Sequence, residues 1–143
     1  MGHQDKGHFA AKHKGRQVDE AVAEQIRAMA KTGSISCAAA HKTSRTLDLP
    51  PLEIGVQVDL MELRISECQL GLFGYPGEKK RFDQDIVISD DLDKELETSV
   101  TDGRISCSDC WEIAARMKIA RLDVGSACEK KNFRIKPCQL GAF

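Results

Sequence analysis

Apolar residues recur along the chain at helical spacing. Val22, Ile26 and Met29 share one face of a segment that Asp19 opens and Gly33 closes, which predicts a helix over about 20–32. Leu92, Leu96 and Val100 predict another over about 90–102, capped by Ser89 or Asp90, with Asp91 and Asp93 at the positive end of its dipole. A second helix is expected after Ser36, and again after Ser106, ending near Leu47 and Met117. Trp111, Ile113, Ala114 and Met117 supply the apolar positions of the latter. Short turns at 48–50 and 118–120 lead to third helices over about 51–62 and 121–132, the former opened by Pro51 in the first turn. A short strand then follows each, carrying Arg64–Glu67 or Arg134–Pro137.

The pattern is doubled because the sequence is doubled. Residues 33–73 align without a gap on residues 103–143, at a constant offset of 70. Two signatures recur, G-x-I-S-C and R-I-x-x-C-Q-L-G-x-F, and thirteen of the 41 aligned positions are identical. A fixed-period match of this kind marks a duplicated structural unit. Each unit has too few residues to bury a large core alone, so the two are expected to pack together as an internal pseudo-dimer. Gly55 and Gly125 fall inside the third helices, where glycine costs about 1 kcal/mol against alanine. Their recurrence points to close packing, expected against the second helix, where Ala39 and Ala40 are also small.

These elements define a mainly α chain with short strands, made of two tandem helix-turn-helix repeats with a rudimentary wing. The expected divisions are a mobile polar tail at 1–18, repeat 1 at 19–73, a linker at 74–88 and repeat 2 at 89–143. Tyr75-Pro76-Gly77-Glu78 reads as a turn within the linker, while Phe82, Ile86, Val87 and Ile88 suit a strand or a cover over the junction. The stretch Trp111–Ile119 is similar to the second helix of helix-turn-helix motifs. Through Ile35-Ser36-Cys37 and the two C-Q-L-G-x-F segments, residues 17–143 resemble a bacterial family of tandem helix-turn-helix-like proteins. That resemblance implies a fold and carries no activity with it.

Composition narrows the function. The chain has 143 residues, 41% hydrophobic and 30% charged, with a formal net charge of −1. No apolar run approaches the roughly 20 residues of a membrane span, and no secretory leader is evident, so a cytoplasmic location is expected. Charge is unevenly spread: residues 33–73 carry −2, residues 74–102 carry −5 and residues 103–143 carry +4. A duplex-DNA partner therefore suits repeat 2, through Arg121, Lys130, Lys131, Arg134 and Lys136, in a DNA-binding, transcription-regulatory role. Repeat 1 presents Glu53, Asp59 and Glu62 on its third helix and would repel phosphate. The alternative is a protein-interaction or scaffold module built from degenerate helix-turn-helix repeats, with a homodimer as one form of partner.

Six cysteines add candidate chemistry. Cys37/Cys107 and Cys68/Cys138 are repeated, and repeat 2 adds Cys110 and Cys128. Cys107, Cys110, Cys128 and Cys138 give C-x₂-C-x₁₇-C-x₉-C, the donor types for zinc or an iron–sulfur cluster. Against this, the first pair lies on a helix, and repeat 1 has Ala40 and Val58 in place of Cys110 and Cys128. Buried apolar thiols are the main expectation, with no cofactor; a metal or redox sensor is the alternative. His3, His8 and His13 are spaced five apart in the tail, and His41 aligns with Trp111. No phosphate loop, nucleophile elbow or zinc-protease motif is present. Cys37 and His41 stand i and i+4 on one helix, but the second copy has tryptophan at the histidine position, so no enzymatic activity is expected.

Overall fold

The computed structural model describes residues 9–78 and 80–143. His3 and His8, like Lys79 of the linker, lie outside the described residues. Among the described residues, the chain is mainly helical with four short strands. The helices are α1 (Glu20–Met29), α2 (Cys37–Leu47), α3 (Pro51–Leu60), α4 (Asp90–Ser99), α5 (Cys107–Met117) and α6 (Arg121–Lys130). The strands are β1 (Ser34–Ser36), β2 (Arg64–Ser66), β3 (Arg104–Ile105) and β4 (Arg134–Ile135). Among the described residues, no helix is long and apolar enough to cross a membrane.

Side-chain caps begin the helices where the sequence places them. The Asp19 carboxylate accepts from the Ala21 and Val22 amides, and the Ser36, Ser89 and Ser106 hydroxyls accept from Ala39, Leu92 and Asp109. Each satisfies a helix-start amide that has no partner inside the helix. Helices α1 and α4 each stop three residues short of the expected ends. Lys31 and Ser34, and likewise Thr101 and Arg104, close a tight turn through paired backbone hydrogen bonds. The left-handed backbone of Thr32 and Gly33, and of Asp102 and Gly103, makes that turn. Asp48 and Lys118 take the same left-handed conformation at the C-caps of α2 and α5, where the chain swings into the third helix.

The strand after the third helix is not a hairpin wing. β2 pairs in parallel with β1, residue Ile35 opposite Ile65, and β4 with β3, Ile105 opposite Ile135. The G-x-I-S-C signature therefore supplies a strand before it supplies a helix cap. A run of two or three residues is too short for a period-2 pattern to reveal it. Ile35, Ile105 and Ile135 are buried, and the alternate positions face out.

The compact units do not coincide with the sequence repeats. Unit 1 is residues 1–68 with 140–143, and unit 2 is residues 69–139. The cause lies at the two helical glycines. A Cβ at Gly55 would stand 1.7 Å from the carbonyl oxygen of Leu140, and one at Gly125 would stand 1.8 Å from that of Leu70. The close approach is thus to the backbone of a C-Q-L-G segment, not to the second helix. Each segment closes the third helix belonging to the other repeat, and Leu70 and Leu140 are themselves buried.

A second cover comes from the chain that precedes each first helix. Residues 9–18, expected as part of a mobile tail, have fixed partners in unit 1. Phe9 is buried at the start of a short 3₁₀ turn, Phe9–Lys12. Glu62 accepts from the Phe9 and Ala10 amides at 2.9 and 2.8 Å. Asp59 pairs with Lys12 at 3.1 Å and His13 at 2.8 Å, and Glu53 with Arg16 at 2.7 Å. The buried Gln57 amide oxygen receives the Asp19 amide at 2.9 Å. In unit 2 the linker takes the equivalent path. The Asp83 amide donates to the buried Ser126 hydroxyl at 2.8 Å, and Lys130 donates to the Ile86 carbonyl at 3.0 Å.

The middles of helices α3 and α6 are therefore covered; Ile54, Gly55, Gln57 and Val58 are buried in the former, and residues 124–128 without a break in the latter. Neither has an apolar stripe opposite a polar one, as expected for central helices. Gly55→Ala and Gly125→Ala should each cost about 3 kcal/mol or more in urea denaturation, because the added methyl meets backbone that cannot rotate away. Partial burial raises the Glu53 pKa, but the hydrogen bonds from Gln57 and Arg16 outweigh it and leave the carboxyl below its ordinary value of 4.5. A lowered folded-state pKa contributes stability above that ordinary value that is lost as pH falls through the folded one. The protection of the residue 9–16 amides against exchange should therefore fall on acidification below pH 4.5, and Arg16→Ala should flatten that dependence.

Candidate nucleic-acid interface and thiol cluster

The five cations expected to meet DNA do not form one free surface. Lys131, at the end of α6, is only 17% exposed and holds two carboxylates of α4: Asp93, in very close contact, and Glu97 at 2.8 Å. These partners raise its pKa above the ordinary lysine value. It acts as an internal tie between the first and third helices of unit 2. Lys130 spends a donor on the Ile86 carbonyl. The Arg121 guanidinium lies 3.6 Å from the centre of the Trp111 ring and reaches Gln69 at 3.3 Å. Such stacking leaves its edge hydrogens open but fixes its plane.

Arg134 and Lys136 differ. Both are exposed, and Ile135 between them points into the core. Alternation along a strand therefore sets them on one outward face. Directly across from Arg134 in the parallel ladder stands Arg104, also exposed. Sequence reasoning missed Arg104 because β3 itself was not visible. Like charges facing each other across strands are destabilising, and among the described residues neither guanidinium pairs with a carboxylate. Unit 1 has Ser34 opposite Arg64 and Ser66 in place of Lys136, so the row of three cations belongs to unit 2 alone.

The six cysteines are all in the thiol form, five of them buried and Cys138 half-buried. The structure does not gather Cys107, Cys110, Cys128 and Cys138 into one donor set; among the described residues, no group of three or more His, Cys, Asp or Glu is placed to hold a metal ion. Cys110 and Cys128 do meet: both are fully buried, and the Cys110 thiol donates a hydrogen bond to the Cys128 sulfur. Cys107 instead accepts from the Gln139 side-chain amide at 3.4 Å. Cys37 and His41 are both buried on α2. In unit 1 an open hollow of about 540 Å³ lies between Val18, Ala30, Met61 and Leu63, and its two charged groups, Glu20 and Arg27, pair with each other at 3.2 Å.

Comparison with protein-family models, curated proteins and solved structures finds no match to the chain. The functional reading therefore rests on the geometry alone.

Lys131→Met should lower the melting temperature by releasing α4 from α6, and should leave any affinity for DNA unchanged. A fall in affinity matching that of an Arg134 variant would place Lys131 at the nucleic-acid surface instead.

Proposed function

We propose that the protein binds duplex DNA through unit 2, by contacts to phosphate rather than to base edges. The observation that carries this reading is the outward row of Arg104 on β3, Arg134 on β4 and Lys136 just beyond it, none of which pairs with a carboxylate among the described residues. Like charges held in register lose their mutual repulsion when an anionic backbone lies between them, and each phosphate neutralised releases counterions. Lys118, exposed at the turn between α5 and α6, and the open edge of Arg121 extend the basic character of the unit.

In this reading each unit is a helix-turn-helix derivative. Two helices joined by a three-residue turn with a left-handed first residue support that ancestry. The third helix of such a motif normally lies in the major groove. Here the middle of α6, residues 124–128, is buried under residues 70 and 83–86 and offers no face to bases, and affinity without sequence preference follows. A regulatory role would then depend on local concentration or on a partner, not on an operator. The burial of α3 and α6 also favours a second reading, a protein-interaction module in which the helix-turn-helix geometry is only a scaffold.

Fluorescence anisotropy with a labelled random-sequence duplex separates the two. The expected result is binding that weakens steeply with salt, at roughly 10⁻⁴–10⁻⁶ M near physiological ionic strength. Arg104→Glu with Arg134→Glu should reduce the salt slope by about two and weaken binding to all sequences alike. No binding at low salt would overturn the DNA reading in favour of the scaffold.

A further inference from the structure

Unit 2 carries a pair of thiols that unit 1 lacks. Cys110 sits in the first turn of α5, and Cys128 in the last turn of α6, and both are fully buried. Their counterparts in unit 1, Ala40 and Val58, are fully buried too. The second and third helices therefore bury this position in both copies, and the packing does not require sulfur. What the two cysteines add is reactive atoms placed in direct contact across two helices.

We propose that Cys110 and Cys128 are a redox modification site, closing to a reversible disulfide that pins α5 to α6 in unit 2 alone, with hydrogen peroxide or an organic hydroperoxide as the oxidant. This goes beyond the DNA reading and does not depend on it. The two sulfurs are partners that can exchange roles, and the surroundings of Cys128 favour it as the first nucleophile. The hydrogen bond from Cys110 favours its thiolate, burial opposes it, and Lys131 favours it again, with a lowered pKa as the net result. Cys110, as the hydrogen-bond donor and by burial, stays protonated. Attack of the Cys128 thiolate on peroxide breaks the O–O bond, forms the sulfenic acid and releases hydroxide, which takes up a proton as water. Cys110 then attacks the Cys128 sulfur. The S–O bond breaks, the S–S bond forms, and the departing hydroxide leaves as water with the Cys110 proton. Two thiols and one peroxide thus give one disulfide and two waters.

The other cysteines are placed differently. Cys107 receives a hydrogen bond from the Gln139 amide, and Cys37 and Cys68 belong to unit 1. Burial of both reacting sulfurs makes the oxidation slow, paced by transient separation of α5 and α6.

The test uses the full reduced chain treated with hydrogen peroxide, then alkylated and mapped by mass spectrometry after cleavage with trypsin and before Asp109, which separates Cys110 from Cys107. The expected product is a single intramolecular bond between Cys110 and Cys128, removed by dithiothreitol and accompanied by a higher melting temperature. Cys110→Ala and Cys128→Val import the residues of unit 1, so each should fold, lose the bond and lose the thermal shift. A disulfide joining any other pair, or oxidation of the remaining cysteines while Cys110 and Cys128 stay reduced, would overturn the proposal. The map of the unsubstituted chain decides the matter even if a variant fails to fold.

Discussion

The contact between a leucine carbonyl and a helical glycine governs the fold. At Gly55 and Gly125 the helix backbone is bare, and a neighbouring main chain comes closer than any side chain would permit. The glycines give up about 1 kcal/mol of helix propensity each, and in return the covering segment lies flat on the helix with Leu140 or Leu70 buried beside it. A helix closed in this manner is shielded along its length and becomes a core element. The straps at 9–18 and 80–86 complete the enclosure from the other end of each repeat.

This enclosure explains why the two copies diverge in charge. In unit 1 the acidic residues of α3 are not a bare negative face, because Lys12 and Arg16 neutralise Asp59 and Glu53 in place. In unit 2 the strap is tied by a hydroxyl and a carbonyl, and the lysine at the helix end is drawn inward to α4. The cations left over sit on the two-stranded ladder. Charge counted by sequence window located the basic half of the chain correctly, but it could not separate a lysine tied to two carboxylates from an arginine held against another arginine.

Much of the architecture was legible. The starts of all six helices and the ends of α2 and α5 follow from caps, apolar spacing and the offset of 70. What escaped detection shares one physical character, dependence on partners distant in sequence. β1 and β3 are strands only because β2 and β4 return beside them. Residues 9–16 look mobile until Glu53, Asp59 and Glu62, on α3 and just beyond it, supply partners 37 to 53 residues away. The glycines signalled a close approach, yet nothing local distinguished a helix neighbour from an extended segment. Among the thiols, C-x₂-C spacing suggested ligation, while the pair that meets is Cys110 with Cys128, at the ends of α5 and α6 away from the turn that connects them.

The crossed assignment of the C-Q-L-G segments also orders events during synthesis. Unit 2 has all its residues once the chain reaches Gln139, whereas unit 1, begun first, lacks the leucine that closes α3 until residues 140–143 emerge. A nascent chain halted at the linker would hold a nearly finished bundle with Gly55 uncovered. Vectorial folding from the N-terminus, the usual habit of tandem domains, cannot run to completion here, because the first half of the protein is sealed only by residues 140–143.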